Sequence, residues 1–167
     1  PTMNSLEAAK SYDALADHWN SDDFNRANGI EQHLRATRFT KKSGRAIDIG
    51  CGSSGRIIEL IRENGFEVEG LDLSEGMLKH ARARQSDVTF HHADTVGWEF
   101  PQQYNFISAW DSVWHVPLEH QEMVLRKLCD GLANEGCPNL YQRRHRHGRG
   151  GFDSIQRTPL YHAAIGI

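Results

Sequence analysis

Ala46-Ile47-Asp48-Ile49-Gly50-Cys51-Gly52-Ser53-Ser54-Gly55 is the stretch whose reading decides the fold. A short apolar strand carries an acidic residue near its end, a glycine-rich turn follows, and a helix begins at once. Gly50 and Gly52 lack a Cβ, so the backbone turns sharply and a ligand approaches it closely. The helix expected from about Ser54 points unpaired N–H groups at that ligand. The pattern describes a nucleotide-type cofactor site at the exit of a first strand.

Gly50, Gly52 and Gly55 also satisfy the spacing G-x-G-x-x-G of dinucleotide sites. Asp48 argues against that choice. A carboxylate two residues before the first glycine repels a pyrophosphate but suits a ligand carrying an ammonium and a sulfonium. The stretch therefore favours S-adenosylmethionine over NAD.

Composition sets broad bounds. The chain has 167 residues, 38% hydrophobic and 25% charged, which is enough for one domain with a real core. A net charge of -3 gives no global attraction to nucleic acid or to an anionic membrane. Cys51, Cys129 and Cys137 lack paired or metal-type spacing, and neither a signal peptide nor a long apolar span opens the sequence. A cytoplasmic enzyme without a metal is expected. The chain opens at Pro1 rather than Met, as a fragment or a processed chain would.

Helix and strand signals alternate along the chain, which argues for an α/β sheet covered on both faces. Helices are expected over 5–19 and 23–40, the second carrying Ile30, Leu34 and Phe39 among polar residues, with Ser21-Asp22-Asp23 as N-cap candidates. A strand over 45–49, a helix over 54–64 and a strand over 66–71 come next. A helix N-capped by Ser74 runs to Arg84, and strands follow near 88–92 and 104–110. Pro117 opens a further helix to about Leu132, closed by Asn134-Glu135-Gly136.

These residues resemble the class I S-adenosylmethionine-dependent methyltransferases over roughly residues 9–136. Three elements carry the resemblance: Ile47-Asp48-Ile49-Gly50-Cys51-Gly52, then Gly70-Leu71-Asp72-Leu73-Ser74-Glu75-Gly76-Met77-Leu78, then His92-Ala93-Asp94. It implies a Rossmann-like sheet with helices on both faces. It also implies a single domain: a helical annex or lid over 1–42, a cofactor-binding core over 43–136, and an atypical, truncated part over 137–167. The implied activity is methyl transfer from S-adenosylmethionine to a small-molecule acceptor, with S-adenosylhomocysteine as product. The alternatives are an NAD(P)-dependent oxidoreductase and a cofactor-binding remnant without turnover.

Roles follow residue by residue. Asp72, ending the second strand, suits both ribose hydroxyls, as an acid there also does in NAD enzymes. The resemblance assigns the methionine amino group to Asp48, the turn Gly50-Cys51-Gly52 to the same moiety, and the adenine to Leu73, Met77, Ala93 and Asp94. Met77 is equally a core residue, and Asp94 alone is equally a turn residue. Cys51 reads as a small turn residue, since methyl transfer needs no covalent intermediate. Tyr12 of the annex falls where the family places a tyrosine near the methionine carboxylate.

The fourth strand exits through Trp110-Asp111-Ser112-Val113-Trp114-His115-Val116-Pro117, beside the cofactor in this fold. Trp110 meets the cofactor or serves as a core aromatic. Methyl transfer is an in-line displacement that needs positioning more than any one side chain. For a hydroxyl or amine acceptor His115 is the general-base candidate, and a structural histidine is the competing reading.

After Gly136 the pattern breaks. Arg143-Arg144-His145-Arg146-His147 cannot lie in a doubly covered strand without burying charge, and Pro138 lacks a ladder donor. The region 137–151 is therefore expected not to form the buried fifth strand. A basic RNA-binding loop, a metal loop through His145 and His147, and a displaced reading frame compete. One permitted codon choice for 139–151, shifted by one nucleotide, encodes Ile-Phe-Ile-Ser-Gly-Gly, an apolar strand with a glycine turn. The antiparallel hairpin that closes the fold resembled here is expected to be missing.

Overall fold

The structure, a computed structural model, describes residues 5–21, 25–40, 43–140, 150–155 and 158–163. Five parallel strands form the central sheet: β1 Gly44–Ile49, β2 Phe66–Asp72, β3 Thr89–His92, β4 Tyr104–Ala109 and β5 Leu132–Leu140. Their order is β3-β2-β1-β4-β5, so the chain reverses direction across the sheet between β1 and β4. That switch point is where open α/β sheets bind ligands.

Register and pleat decide what faces what. Asp48 lies beside Gly70 on one side and Ser108 on the other. Alternation puts Ala46, Asp48, Phe106 and Ser108 on one face, and Ile47, Ile49, Ile107 and Ala109 on the other. The first face packs on α2 (Ile30–Ala36) and α3 (Arg56–Glu63) through Ile30, Ile57, Ile58 and Ile61. The second packs on α5 (Leu118–Asp130) through Val124 and Leu128. Helix α1 (Ser5–Trp19) lies against α4 (Glu75–Arg84) and the last strand. Among the described residues no helix is long and apolar enough to cross a membrane.

Several expectations change. The second helix is short: Gly29, at φ 83, precedes it, and a 3₁₀ turn over Thr37–Phe39 ends it. Its inward face is Ile30, His33 and Thr37, not Ile30, Leu34 and Phe39. Leu34 is 43% and Phe39 74% exposed, while His33 is fully buried. A polar residue with two hydrogen-bond partners claims the interior position that apolar counting gave to leucine.

Helix α5 ends at Asp130 with Gly131 as C-cap, its N–H reaching Lys127 O, and Asn134-Glu135-Gly136 already belong to β5. The fifth strand does form. Cys137, Pro138, Asn139 and Leu140 pair in parallel with Phe106, Ile107, Ser108 and Ala109 after a register shift. Those four residues precede the arginine run, and β5 is the outermost strand, where a proline is tolerated. Arg143–His147 lie outside the described residues. β6 (Gly150–Ile155) and β7 (Thr158–Ala163) pair antiparallel as a separate two-stranded sheet and add no strand to the central five.

Unfolding by urea checks the reassigned face of α2. Phe39→Ser is expected within about 0.5 kcal/mol of the parent, whereas Ile61→Ala is expected to cost about 2–5 kcal/mol. A loss at Phe39 as large as that at Ile61 would return Phe39 to the core.

Candidate active site

The turn after β1 is folded onto the end of β2. Gly50 N–H and Cys51 N–H both donate to Leu71 O, at 2.7 and 3.0 Å. Gly52 N–H donates to Asp72 Oδ2 at 2.8 Å and Ser74 N–H to Asp72 Oδ1 at 2.9 Å. Gly50 sits at φ 71 and Gly52 at φ 62, left-handed conformations that favour glycine. A Cβ on Gly50 would lie 2.3 Å from Ser112 Cβ, whereas one on Gly52 would meet nothing within 4 Å. Gly50 thus lets the exits of β1 and β4 touch, and Gly52 borders open space.

Asp72 holds the turn with one lone pair of each carboxylate oxygen and keeps others for a ligand. Burial pushes its carboxyl up against the pull of the Ser74, Gly52 and Leu73 N–H groups. Met77 is buried, its N–H capped by Ser74 Oγ at 3.1 Å. Leu73 is half-buried beside it. Ala93 N–H donates to Asp72 O at 3.1 Å, which brings the segment after β3 alongside. Asp94 Oδ1 accepts from Val96 N–H at 2.9 Å, a turn role that still leaves lone pairs for a ligand. Burial, then the Asp72 and Asp48 charges, raise the Cys51 thiol, which suits a turn residue and not a nucleophile.

Asp48 is buried at the switch point, facing α2 and α3. Burial pushes its carboxyl up to about 7, aided by the charge of Asp72 and opposed by the Arg56 guanidinium. Arg56 Nε is anchored on Asn28 O at 2.9 Å.

At the exit of β4, Asp111 adopts φ 53, a left-handed conformation that aspartate enters more readily than most residues. Asn28 Nδ2 donates to Asp111 Oδ2 at 2.6 Å, and Trp110 Nε1 donates to Asn28 Oδ1 at 3.3 Å. The Trp110 indole lies against Gly29, where a Cβ would come 2.8 Å from Nε1, and edge-on to His33. Trp110, half-buried, thus anchors the loop before α2.

Two donors converge on His115 Nε2. The Trp114 Nε1–H group lies 2.7 Å away and the Tyr12 hydroxyl 2.5 Å away. The Tyr12 phenol is raised, first by burial and then by the charges of Asp72 and Asp111, so it keeps its proton and donates it. With that hydrogen directed at His115, Tyr12 can meet a ligand only as an acceptor.

Several residues of the site were not singled out from sequence: His33, Ser108, Arg56, and Asp13, which accepts from Ser74 Oγ at 2.5 Å and Gly76 N–H at 2.9 Å. Ser108 had a signal, a hydroxyl inside the apolar run Phe106-Ile107-Ser108-Ala109. A buried hydroxyl needs a partner.

Among the described residues no group of three or more His, Cys, Asp or Glu is placed to hold a metal ion, and His145 and His147 lie outside them. The residues present fit S-adenosylmethionine: a carboxylate for the ribose, a buried carboxyl for the amino group, and open space at Gly52 between them.

Known proteins agree with the architecture. Residues 46–136 match the family described as a methyltransferase domain. The ubiquinone biosynthesis O-methyltransferase of Coxiella burnetii is 27% identical over 84% of this chain and 62% of its own length. The trans-aconitate 2-methyltransferase of Rhizobium etli is 32% identical over 63% of this chain and 37% of its own. The chain thus spans less than two thirds of either relative. The DhpI–SAH complex has the same fold, with TM-score 0.75 and 16% identity over 97% of this chain and 80% of that one.

The raised Asp48 carboxyl has a sign that can be checked. Its pKa is about 7 in the folded chain against an ordinary 3.8, so the folded state holds the extra proton between those values. Stability from this group is complete below about pH 4 and is lost as pH rises through about 7. Urea unfolding of the ligand-free chain should therefore find Asp48→Asn, which imitates the protonated acid, gaining on the parent from about pH 4 to about pH 7 and levelling off above. A constant difference between the two would remove the shift.

Proposed function

Since the chain belongs to the S-adenosylmethionine-dependent methyltransferases, we propose that it transfers the methyl group of S-adenosylmethionine to a small-molecule acceptor. The observation that carries this is the meeting of Asp48, the Gly50-Cys51-Gly52 turn and Asp72 at the carboxyl ends of β1 and β2. Family membership sets aside the nicotinamide oxidoreductase. The names of relatives acting on a ubiquinone precursor and on trans-aconitate support a small acceptor. A cytoplasmic setting is part of the proposal and draws support from the free thiols of Cys51 and Cys129.

In this reading Asp72 holds the ribose and Asp48 the amino group of the methionine part. Gly50, Cys51 and Gly52 present backbone to the same part, and Leu73, Met77, Ala93 and Asp94 border the adenine. Trp110 acts from behind, fixing the loop that carries Asn28 and Gly29. The cofactor supplies the electrophilic methyl group, and the chain supplies alignment and a path for the acceptor's proton. His115 is the proton acceptor, reached through Tyr12: as Tyr12 takes the acceptor's proton, its own passes along the 2.5 Å hydrogen bond to Nε2.

Asp72→Ala is expected to weaken S-adenosylhomocysteine binding by about 1–3 kcal/mol in a calorimetric titration. Unchanged affinity in a folded variant would take Asp72 out of the site, and tight binding of NADH by the parent would overturn the assignment. A methyl-release assay separates an enzyme from a binding remnant.

His115→Ala and Tyr12→Phe are each expected to lower turnover by roughly 10²–10⁴ with little change in cofactor affinity, and the double variant to be no slower than the worse single one. Variants that keep the parent rate and melt at lower temperature would make the pair structural.

A further inference from the structure

We propose that His33 is a positioning residue of the cofactor site: by taking the only hydrogen of Ser108 it obliges Asp48 to keep its own proton, which leaves for solvent when an ammonium group docks. The proposal rests on the cofactor reading above only for the identity of the docking group.

The argument is a count of hydrogens along a buried chain. His33 Nδ1 lies 2.6 Å from Gly29 O, and a carbonyl can only accept, so Nδ1 carries a hydrogen. A neutral imidazole then has a bare Nε2, which lies 2.8 Å from Ser108 Oγ. Ser108 must donate there, and a hydroxyl has one hydrogen to give. Ser108 and Asp48 are register partners on neighbouring strands, their side chains adjacent on one face of the sheet. With its hydrogen committed to His33, Ser108 meets Asp48 as an acceptor, and the hydrogen between them belongs to Asp48.

The opposite polarity needs a doubly protonated His33. That ring is fully buried, lies near Phe106 and Trp110, and is opposed by the Arg56 charge, which together hold it down to about 4. The charged and titratable groups facing Asp48 are Arg56 from α3, which favours its ionised form, Asp72 from β2, which disfavours it, and the raised Cys51 thiol of the turn. Docking of a ligand ammonium adds a second positive charge beside Asp48. The Asp48 O–H bond then breaks, its electron pair stays on the carboxylate, and the proton passes to water. No oxidant or further reactant is involved.

S-adenosylhomocysteine is the probe, titrated into the full chain from about pH 5.5 to about pH 8.5, with the Asp48 carboxyl followed separately by carbon NMR in the ligand-free chain. Affinity should rise about tenfold per pH unit below the Asp48 midpoint and level off above it, with proton release visible as a dependence on buffer ionisation heat. His33→Phe keeps the ring volume, frees the Ser108 hydrogen for Asp48, and should lower the midpoint by about one pH unit. Ser108→Ala removes the acceptor of the Asp48 proton and should not raise the midpoint, as loss of a donor would; this small truncation carries the test alone if His33→Phe fails to fold. A variant that merely loosens packing would change affinity equally at every pH. A raised midpoint in Ser108→Ala, or an unmoved one in His33→Phe, overturns the proposal. Midpoints that move as stated in a chain that binds no S-adenosylhomocysteine would uphold the hydrogen count and discard the cofactor reading instead.

Discussion

The turn after β1 depends on one carbonyl and one carboxylate. Leu71 O accepts from two consecutive N–H groups, and Asp72 takes the third through Gly52. Three successive donors of one strand's exit are thereby committed to the end of its neighbour. Adjacent parallel strands fix the separation of their ends, so the turn has little freedom to drift. Asp48 sits just before it, Ser112 closes on Gly50 from β4, and Ser74 leaves Asp72 to cap α4. The carboxyl groups proposed to bind the methionine amino group and the ribose are spaced by the sheet itself.

Helix α1 joins this arrangement by polar contacts. Asp13 accepts from Ser74 Oγ and Gly76 N–H at the start of α4, so a carboxylate from one helix meets the unpaired donors of the next. Farther along, His80 bonds Asp17 and Arg84 bonds Asn20. Leu15 and Ala16 supply the apolar part of the seam. The loop before α2 is tied to the opposite side of the site, with Arg26 on Ser54 O, Arg56 on Asn28 O, and Asn28 on Asp111. The N-terminal helices thus grip both rims of the sheet's carboxyl edge.

Much of this was legible in the chain because its signals are local. The glycine turn, Ser74 as N-cap and an acid ending the second strand are each set by neighbours a few residues away, and all appear where expected. What escaped depends on register. Nothing near Ser108 says that it lies beside Asp48, and nothing near His33 says that its helix turns that face inward; only the pairing of β1 with β4 and the packing of α2 decide both. The fifth strand was misjudged because one charged run was allowed to condemn the residues before it, although four residues suffice to pair with Phe106–Ala109.

Tyr12 and Asp13 are consecutive in α1, one bonded to His115 beyond β4 and the other to the first turn of α4 beyond β2. Adjacent positions on a helix are about 100° apart, so the two side chains leave a single rigid rod in different directions. A swing of that rod wide enough to uncover the site parts both contacts in one motion. In the proposed mechanism the donor that faces His115 and the carboxylate that meets Ser74 are therefore kept or lost together.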